Sequence, residues 1–367
     1  MVILHYIASP FWGGGEQYVF DLCIAMQAQF GVRCVFVCQP DTSSSLLERW
    51  KQVGAVYTLY PHTKNGKFDY REAWHLAQII QRENVDVVHV HNLKEYFICV
   101  YAKIFSKKPI RLIATQHLVA PAKNKCSWRW AYRHIDAFVF VSHKVADIFL
   151  CNEAVRRSCK HAHVIHNCIP EVSIPQNQSS LRQELKVPQD LPLVLYHGRI
   201  CKEKGILQLL RAIVPTFSGK YGIVLAGDVA DEDRAIFEAL MDTSALQGYI
   251  FYLGFRTDIA WLITQCDFGV VPSIVAEAAS LSLLEHMSLG TAVISSNTGA
   301  QPEFAEHGKE AILLSTNGDW TDWLTAIDTL CADSAYRQAL GKAAYKRMDK
   351  DFNYNHFVQQ IYTLYAN

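Results

Sequence analysis

Short runs of apolar, largely β-branched residues recur along the chain, separated by helix-length stretches. Val2 to Ala8, Arg33 to Cys38, Val85 to His91, Ile110 to Thr115, Ala137 to Val141 and His163 to Ile165 form a first series of predicted strands. Leu193 to His197, Tyr221 to Ala226, Ile250 to Leu253, Phe268 to Val271 and Thr291 to Ser295 form a second. A continuously apolar strand is covered on both faces, and helical crossovers join strands in parallel. The pattern therefore predicts an α/β chain with two doubly wound parallel sheets. Between the two series, Pro170 to Pro192 is rich in Pro, Gln, Ser and Asn and reads as a linker, in which Ser180 to Lys186 can add a short helix.

Length agrees with this division, since 367 residues exceed what one core usually serves. Half the residues are hydrophobic, enough for two buried sheets. No window approaches the ~18 consecutive apolar residues of a membrane span. The first ten residues enter a strand-like run without a basic lead or a small-residue cleavage pattern, so a cytoplasmic protein is expected. The eleven cysteines are scattered and lack a Cys-x-x-Cys spacing, which fits a reducing compartment. Cys159, His161, His163 and His166 come nearest to a metal cluster, but no second ligand pair of standard spacing follows, and no metal is expected.

The zero net charge conceals an asymmetry. Residues 1–170 carry 20 Lys and Arg against 12 Asp and Glu, and the remainder 15 against 23. A basic half attracts anionic surfaces or substrates. Within it, Lys123 to Arg133 mixes cations with Trp128, Trp130 and Tyr132, as interfacial membrane segments do; a helix with inward aromatics and solvated cations explains it equally. Tyr96 to Phe105, followed by Lys107 and Lys108, is a second such stretch, whose composition suits a core helix better.

Candidate chemistry lies in three places. Glu277 and Glu285 flank Ala-Ala-Ser-Leu-Ser-Leu-Leu, ahead of an apolar helix that stops at Gly290. Carboxylates accept hydrogen bonds from sugar hydroxyls, and helix N-terminal amides hold phosphate. Ser282-Leu283-Leu284-Glu285 also fits a capping box, which would give Glu285 a structural task in its own helix. Gly198-Arg199-Ile200-Cys201-Lys202-Glu203-Lys204-Gly205 follows a predicted strand and brings an Arg and a Lys into a glycine-bounded turn. Finally, Gly13-Gly14-Gly15-Glu16 occupies the first strand-to-helix connection. It is neither the Gly-x-Gly-x-x-Gly of a dinucleotide site nor a P-loop. A simple turn and a backbone open to phosphate or sugar both fit it.

These signals, taken in order, resemble the retaining glycosyltransferases of family 4, which have the GT-B fold. The resemblance rests on the glycine loop, Thr115-Gln116-His117, Phe140-Val141-Ser142, His166-Asn167, the Gly-Arg…Glu-Lys-Gly turn and the Glu277/Glu285 pair. It extends to Leu253-Gly254, Cys266 to Ser273 and Gly290 to Ser296. It implies two Rossmann-like domains facing a central cleft: an acceptor-side domain over 1–170 and a nucleotide-sugar domain over 171–352. A last helix at about 353–367 would pack back on the first. By position it implies that Arg199 and Lys204, beside Gly198, hold the donor pyrophosphate. The amides of Ser280, Leu281, Ser282 and Leu283 would assist. Glu277 would take hydroxyls of the transferred sugar, Glu285 the ribose, and His117 would approach the sugar from the first domain. Gly14 and Gly15 would bring the backbone close to donor or acceptor.

A nucleotide-sugar, UDP-linked foremost, is then the expected donor, with no metal or other cofactor required. A saccharide or polyprenyl-linked saccharide of bacterial surface polysaccharide or glycolipid synthesis is the expected acceptor. Peripheral contact with an anionic membrane is expected through the first domain, and nucleic acid is not an expected partner. An epimerase or phosphorylase of the same fold, or a non-catalytic scaffold, remains as the alternative. Two departures from the family pattern stand out. Glu277-Ala278-Ala279-Ser280 replaces Glu-Gly/Pro-Phe-Gly, so Ser280 either takes an unusual backbone angle or the loop differs in shape. His166-Asn167-Cys168-Ile169-Pro170 stands where Pro-Asn-Gly-hydrophobic-Asp is usual.

Overall fold

Two parallel sheets organise the chain, and their strand orders follow one rule. The structure, a computed structural model, describes residues 1–7, 9, 12–59, 67–171, 174 and 180–367, without the side chain of Ser45. Ala8 of the first predicted strand, and residues 172, 173 and 175–179 of the expected linker, lie outside the described residues.

The first sheet contains β1 (Val2–Ile7), β2 (Arg33–Cys38), β3 (Gly54–Thr58), β4 (Val87–Val90), β5 (Arg111–Gln116), β6 (Ala137–Phe140) and β7 (Ala162–Val164). Their order is β3-β2-β1-β4-β5-β6-β7. The second contains β8 (Leu193–His197), β9 (Gly222–Ala226), β10 (Ile250–Tyr252), β11 (Phe268–Val271), β12 (Ala292–Ser296) and β13 (Ile312–Leu314), in the order β10-β9-β8-β11-β12-β13. Every strand pair is parallel. In each sheet the order reverses once, at β1/β4 and at β8/β11, which marks the crevice where such folds bind ligands.

Two strands escaped the sequence pattern, and both are edges. β3 begins at Gly54, where a Cβ would lie 2.2 Å from the Cys34 carbonyl oxygen, and its residues are half-buried or exposed. β13 has three residues. Neither supplies the long apolar run that announces a central strand.

The chain divides into two compact units: Met1–Cys168 with Tyr354–Asn367, and Ile169–Asn353. In the first, the last helix, Tyr354–Ala366, is fixed by its aromatic face. Tyr362 stacks on Phe30 with ring centroids 3.8 Å apart, and the Tyr365 hydroxyl lies 2.6 Å from His89 Nδ1. The first helix, Gly14–Phe30, ends at Gly31, whose left-handed φ of 62° lets its N–H close on the Gln27 carbonyl at 3.1 Å.

In the second unit, Asp267 ties the sheet to its surroundings. Its carboxylate accepts from the Leu193 N–H at 2.8 Å, from Arg182 at 2.8 Å and from Arg337 at 3.1 Å. Helix Ser334–Asp351 crosses at Gly341, where a Cβ would sit 2.0 Å from the Gly290 carbonyl oxygen. Asp267 and Gly290 of the quoted motifs therefore hold the fold together, one by ion pairs and the other by a close helix approach.

Two of the three aromatics of Lys123 to Arg133 turn inward, and Trp130 is half-buried. Helix Cys126–Arg133 buries Trp128 and Tyr132, and Lys123 lies over the Trp128 ring at 4.6 Å. Tyr96 to Val100 are buried as well. Exposed apolar residues gather instead around the facing helices Tyr70–Arg82 and Tyr96–Phe105: Phe68, Tyr70, Trp74, Ile104 and Phe105.

Candidate active site

The carboxy-terminal unit brings the basic turn and the first carboxylate together at its β8/β11 switch point. The basic turn leaves β8 through Gly198, at a φ of 129°, and closes at Gly205, at 73°. A side chain at Gly205 would place Cβ 1.9 Å from the Pro272 carbonyl oxygen, so the turn lies hard against the segment leaving β11. The Ile274 N–H completes the join by donating to the Glu203 carbonyl at 2.9 Å. This contact carries Lys204 Nζ to 2.9 Å from Glu277 Oε1.

Glu277 is held from three sides. The Ser273 hydroxyl donates to its Oε1, and its own carbonyl accepts from the Ala300 N–H at 2.8 Å. Gly299, at a φ of 61°, leaves no room for a Cβ beside that carbonyl, which it would approach to 2.2 Å. The Glu277 side chain is 11% exposed and that of Lys204 39%, so the cation is the more accessible partner.

Arg199 behaves differently. Its guanidinium is exposed and faces Glu232 at 3.6 Å, while its carbonyl accepts from the Tyr196 hydroxyl at 2.6 Å. The backbone at Arg199 is thus fixed while its charged end keeps only a weak surface pair.

Helix Leu281–Ser288 starts from Ser280, whose φ of −83° is ordinary, so the loop itself differs in shape and no strain is stored there. The Ser280 hydroxyl caps the Leu283 N–H at 3.5 Å. This corrects the capping-box reading: Ser282 is the second helical residue, and its hydroxyl donates to the His197 carbonyl at 3.1 Å. Glu285 Oε2 lies 3.5 Å from His197 Nδ1 rather than at the helix start. Burial lowers His197 to about 4 and holds the adjacent His286 well below the usual histidine range, so Glu285 faces a neutral ring. A cavity of about 440 Å³, lined by Lys186, Pro192, Gly219 and Tyr249 among others, lies at the opposite, amino-terminal strand ends.

In the amino-terminal unit the corresponding positions carry glycines, the carboxyl of Glu16 and an imidazole. Gly13 caps the first helix in an extended conformation, and Gly14 and Gly15 form its first turn. Among the described residues, a Cβ at Gly15 would meet nothing within 4 Å. His117 follows β5, packs edge-on to Tyr18 at 4.8 Å, and burial lowers its pKa to about 4. Its Nε2 lies 3.2 Å from His91 Nδ1, a partner the sequence motifs had not singled out. The signal was present in Val88-His89-Val90-His91, where period two puts both rings on one face of the strand.

Comparison with known proteins agrees with this fold. The model of glycosyl transferases group 1 matches residues 177–347, and that of glycosyltransferase family 4 matches residues 12–171. An N-acetyl-alpha-D-glucosaminyl L-malate synthase of Bacillus anthracis is 26% identical over 310 residues, covering 81% of this chain and 79% of that one. A lipopolysaccharide 1,2-N-acetylglucosaminetransferase of Salmonella typhimurium is 29% identical over 177 residues, 45% of this chain and 46% of that one. Among solved structures, Anabaena HepE in complex with UDP superposes with a TM-score of 0.82 at 19% identity, covering 100% of both chains. The fold is therefore GT-B, with two Rossmann-like parallel-sheet domains.

Proposed function

Because the chain belongs to the group 1 glycosyltransferases of family 4, we propose that it is a retaining enzyme that moves a sugar from a nucleotide-sugar to an acceptor hydroxyl. The observation that carries this reading is the Lys204–Glu277 pair at the β8/β11 switch point. It sets a cation for phosphate beside a carboxylate for sugar hydroxyls. Lys204 and Arg199 meet the charge that grows on the departing diphosphate, a task for fixed cations that need not reorganise, and no metal ion is required. Glu277 orients the sugar, Glu285 takes the ribose, and the Leu281 and Ser282 amides add the helix dipole.

Both carboxylates are thereby engaged in donor binding, which leaves the opposite sugar face without a nucleophile. The bond from the anomeric carbon to the β-phosphate oxygen breaks, and the acceptor oxygen bonds to that carbon on the same face. The acceptor proton passes to the departing β-phosphate. His117, neutral near pH 7, meets a sugar hydroxyl without adding charge.

A UDP-sugar is the first choice of donor, consistent with HepE having been solved with UDP. A saccharide or lipid-linked saccharide of bacterial surface polysaccharide or glycolipid synthesis is the first choice of acceptor, which the partial likeness to the lipopolysaccharide enzyme supports. No helix among the described residues is long and apolar enough to cross a membrane. Contact with a lipid surface falls instead to Phe68, Tyr70, Trp74, Ile104 and Phe105, with the exposed cations Arg71 and Lys107 close by in sequence. Flotation with anionic vesicles at low salt tests that contact, and failure to float overturns it.

The reaction itself is tested without an acceptor. Nucleotide-sugars are incubated with the enzyme in EDTA, and the sugar released by slow hydrolysis is read by NMR before its anomers equilibrate. The retained anomer is expected. Release of the inverted anomer contradicts the reading, as does consumption that needs inorganic phosphate or that yields only an epimer.

A further inference from the structure

A line of imidazoles runs through the core of the amino-terminal unit. His5 pairs in register with His89 across β1 and β4, His91 follows β4, and His117 follows β5. His117 Nε2 lies 3.2 Å from His91 Nδ1, and His91 Nε2 lies 3.1 Å from His5 Nδ1. The His5 and His91 rings stack at 5.4 Å, and those of His91 and His117 at 5.5 Å. His5 and His91 are buried, and burial holds both His91 and His117 below the usual histidine range.

A neutral imidazole offers one donor and one acceptor nitrogen. Each link here joins Nε2 of one ring to Nδ1 of the next, so the proton order at one link dictates the order at the other. With all three rings neutral, two arrangements exist: all protonated at Nδ1, or all at Nε2. We propose that His91, backed by His5, is a positioning residue that fixes which nitrogen of His117 carries the proton offered to the donor sugar. This rests on the reading that His117 meets that sugar. With the proton on Nδ1, His117 donates to a sugar oxygen; with Nδ1 bare, it accepts from a hydroxyl.

The ligand atoms of His5, His89 and His91 lie within 4.8 Å of one another, a convergence that also occurs at metal centres. The partners of His89 favour the hydrogen-bonded reading. Its Nδ1 lies 2.6 Å from the Tyr365 hydroxyl and its Nε2 2.7 Å from Thr115 Oγ1, so hydroxyls already satisfy both nitrogens.

Long-range proton–nitrogen correlation NMR on the full chain, labelled at histidine, reads each tautomer directly. In the wild type, His5, His91 and His117 are expected to carry the proton at the same ring position. In His91→Phe, His117 should revert to a mixture of tautomers, and kcat for glycosyl transfer should fall about tenfold with a smaller change in donor KM. The wild-type spectrum alone decides the matter if His91→Phe does not fold: opposite ring positions at His91 and His117 overturn the proposal. A His117 tautomer unchanged in a folded His91→Phe protein overturns it too. A tautomer that moves while the rate stays constant upholds the coupling and overturns the placement of His117 against the sugar.

Discussion

The two units share a strand order but equip its switch point in opposite ways. Beside β8 and β11 the chain is shaped by left-handed glycines and an ion pair: Gly198, Gly205 and Gly299 bend the backbone, and Lys204 meets Glu277 at 2.9 Å. Beside β1 and β4 the first helix starts with glycines in ordinary conformations, and the side chains brought together are imidazoles linked at 3.1 and 3.2 Å. Charge suits the handling of a diphosphate, whose own charge changes during transfer. Neutral hydrogen bonds suit a sugar, which is read by the direction of its hydroxyls. Under the proposed function the labour is divided: the carboxy-terminal unit holds the leaving group and, through Glu277, the sugar, and the amino-terminal unit adds a neutral contact from His117.

Removing the charge should produce the largest effect. Lys204→Ala is expected to lower kcat/KM by roughly 10²- to 10³-fold, the scale seen when one fixed donor to a developing anion is lost. Steady-state kinetics at saturating acceptor measures it.

Acid should expose the neutral rings. Unfolded His117 takes up a proton near its ordinary value of about 6.5, whereas in the fold it resists until about 4. Between those values the unfolded chain binds more protons, so this contribution to stability is lost as pH falls through the window and levels off below it. The full loss is about 3 kcal/mol. Urea titrations of wild type and His117→Asn from pH 7 to pH 4 should show a flatter dependence in the variant.

Two glycines sharpen the contrast in backbone. Gly205→Ala forces a Cβ against the Pro272 carbonyl at a φ of 73°, and a loss of about 2 kcal/mol is expected. Gly15→Ala sits in a helical turn where its Cβ would meet no atom of the described residues within 4 Å, so thermal unfolding should show a gain of up to about 1 kcal/mol. If a ligand uses that space, the same variant should lose activity despite its added stability.

Much of this architecture was legible in the chain. Central strands such as Phe268 to Val271 announce themselves because burial on both faces demands an unbroken apolar run. The edges β3 and β13 do not, because an edge strand can be short and half-exposed. The short helix Leu181–Leu185 inside the expected linker was legible too, from Ser180 to Lys186. At the candidate site, the approach of Lys204 to Glu277 depends on Gly205 meeting Pro272, a contact between segments some seventy residues apart that no local pattern encodes. The capping assignment went to Ser282 rather than Ser280 because both are serines two residues apart, and only the entry angle of the chain separates them. His5 and His91 were passed over since each reads as an ordinary polar residue in a strand series; pairing β1 with β4 makes them neighbours.

Calorimetric titration of UDP, GDP and ADP into wild type, Lys204→Ala and His117→Ala tests the division of labour most directly. One diphosphate is expected to bind wild type and His117→Ala alike, and to bind Lys204→Ala at least about tenfold more weakly, a difference of about 1.4 kcal/mol. Equal affinity for wild type and Lys204→Ala, or an equal loss in His117→Ala, would contradict it.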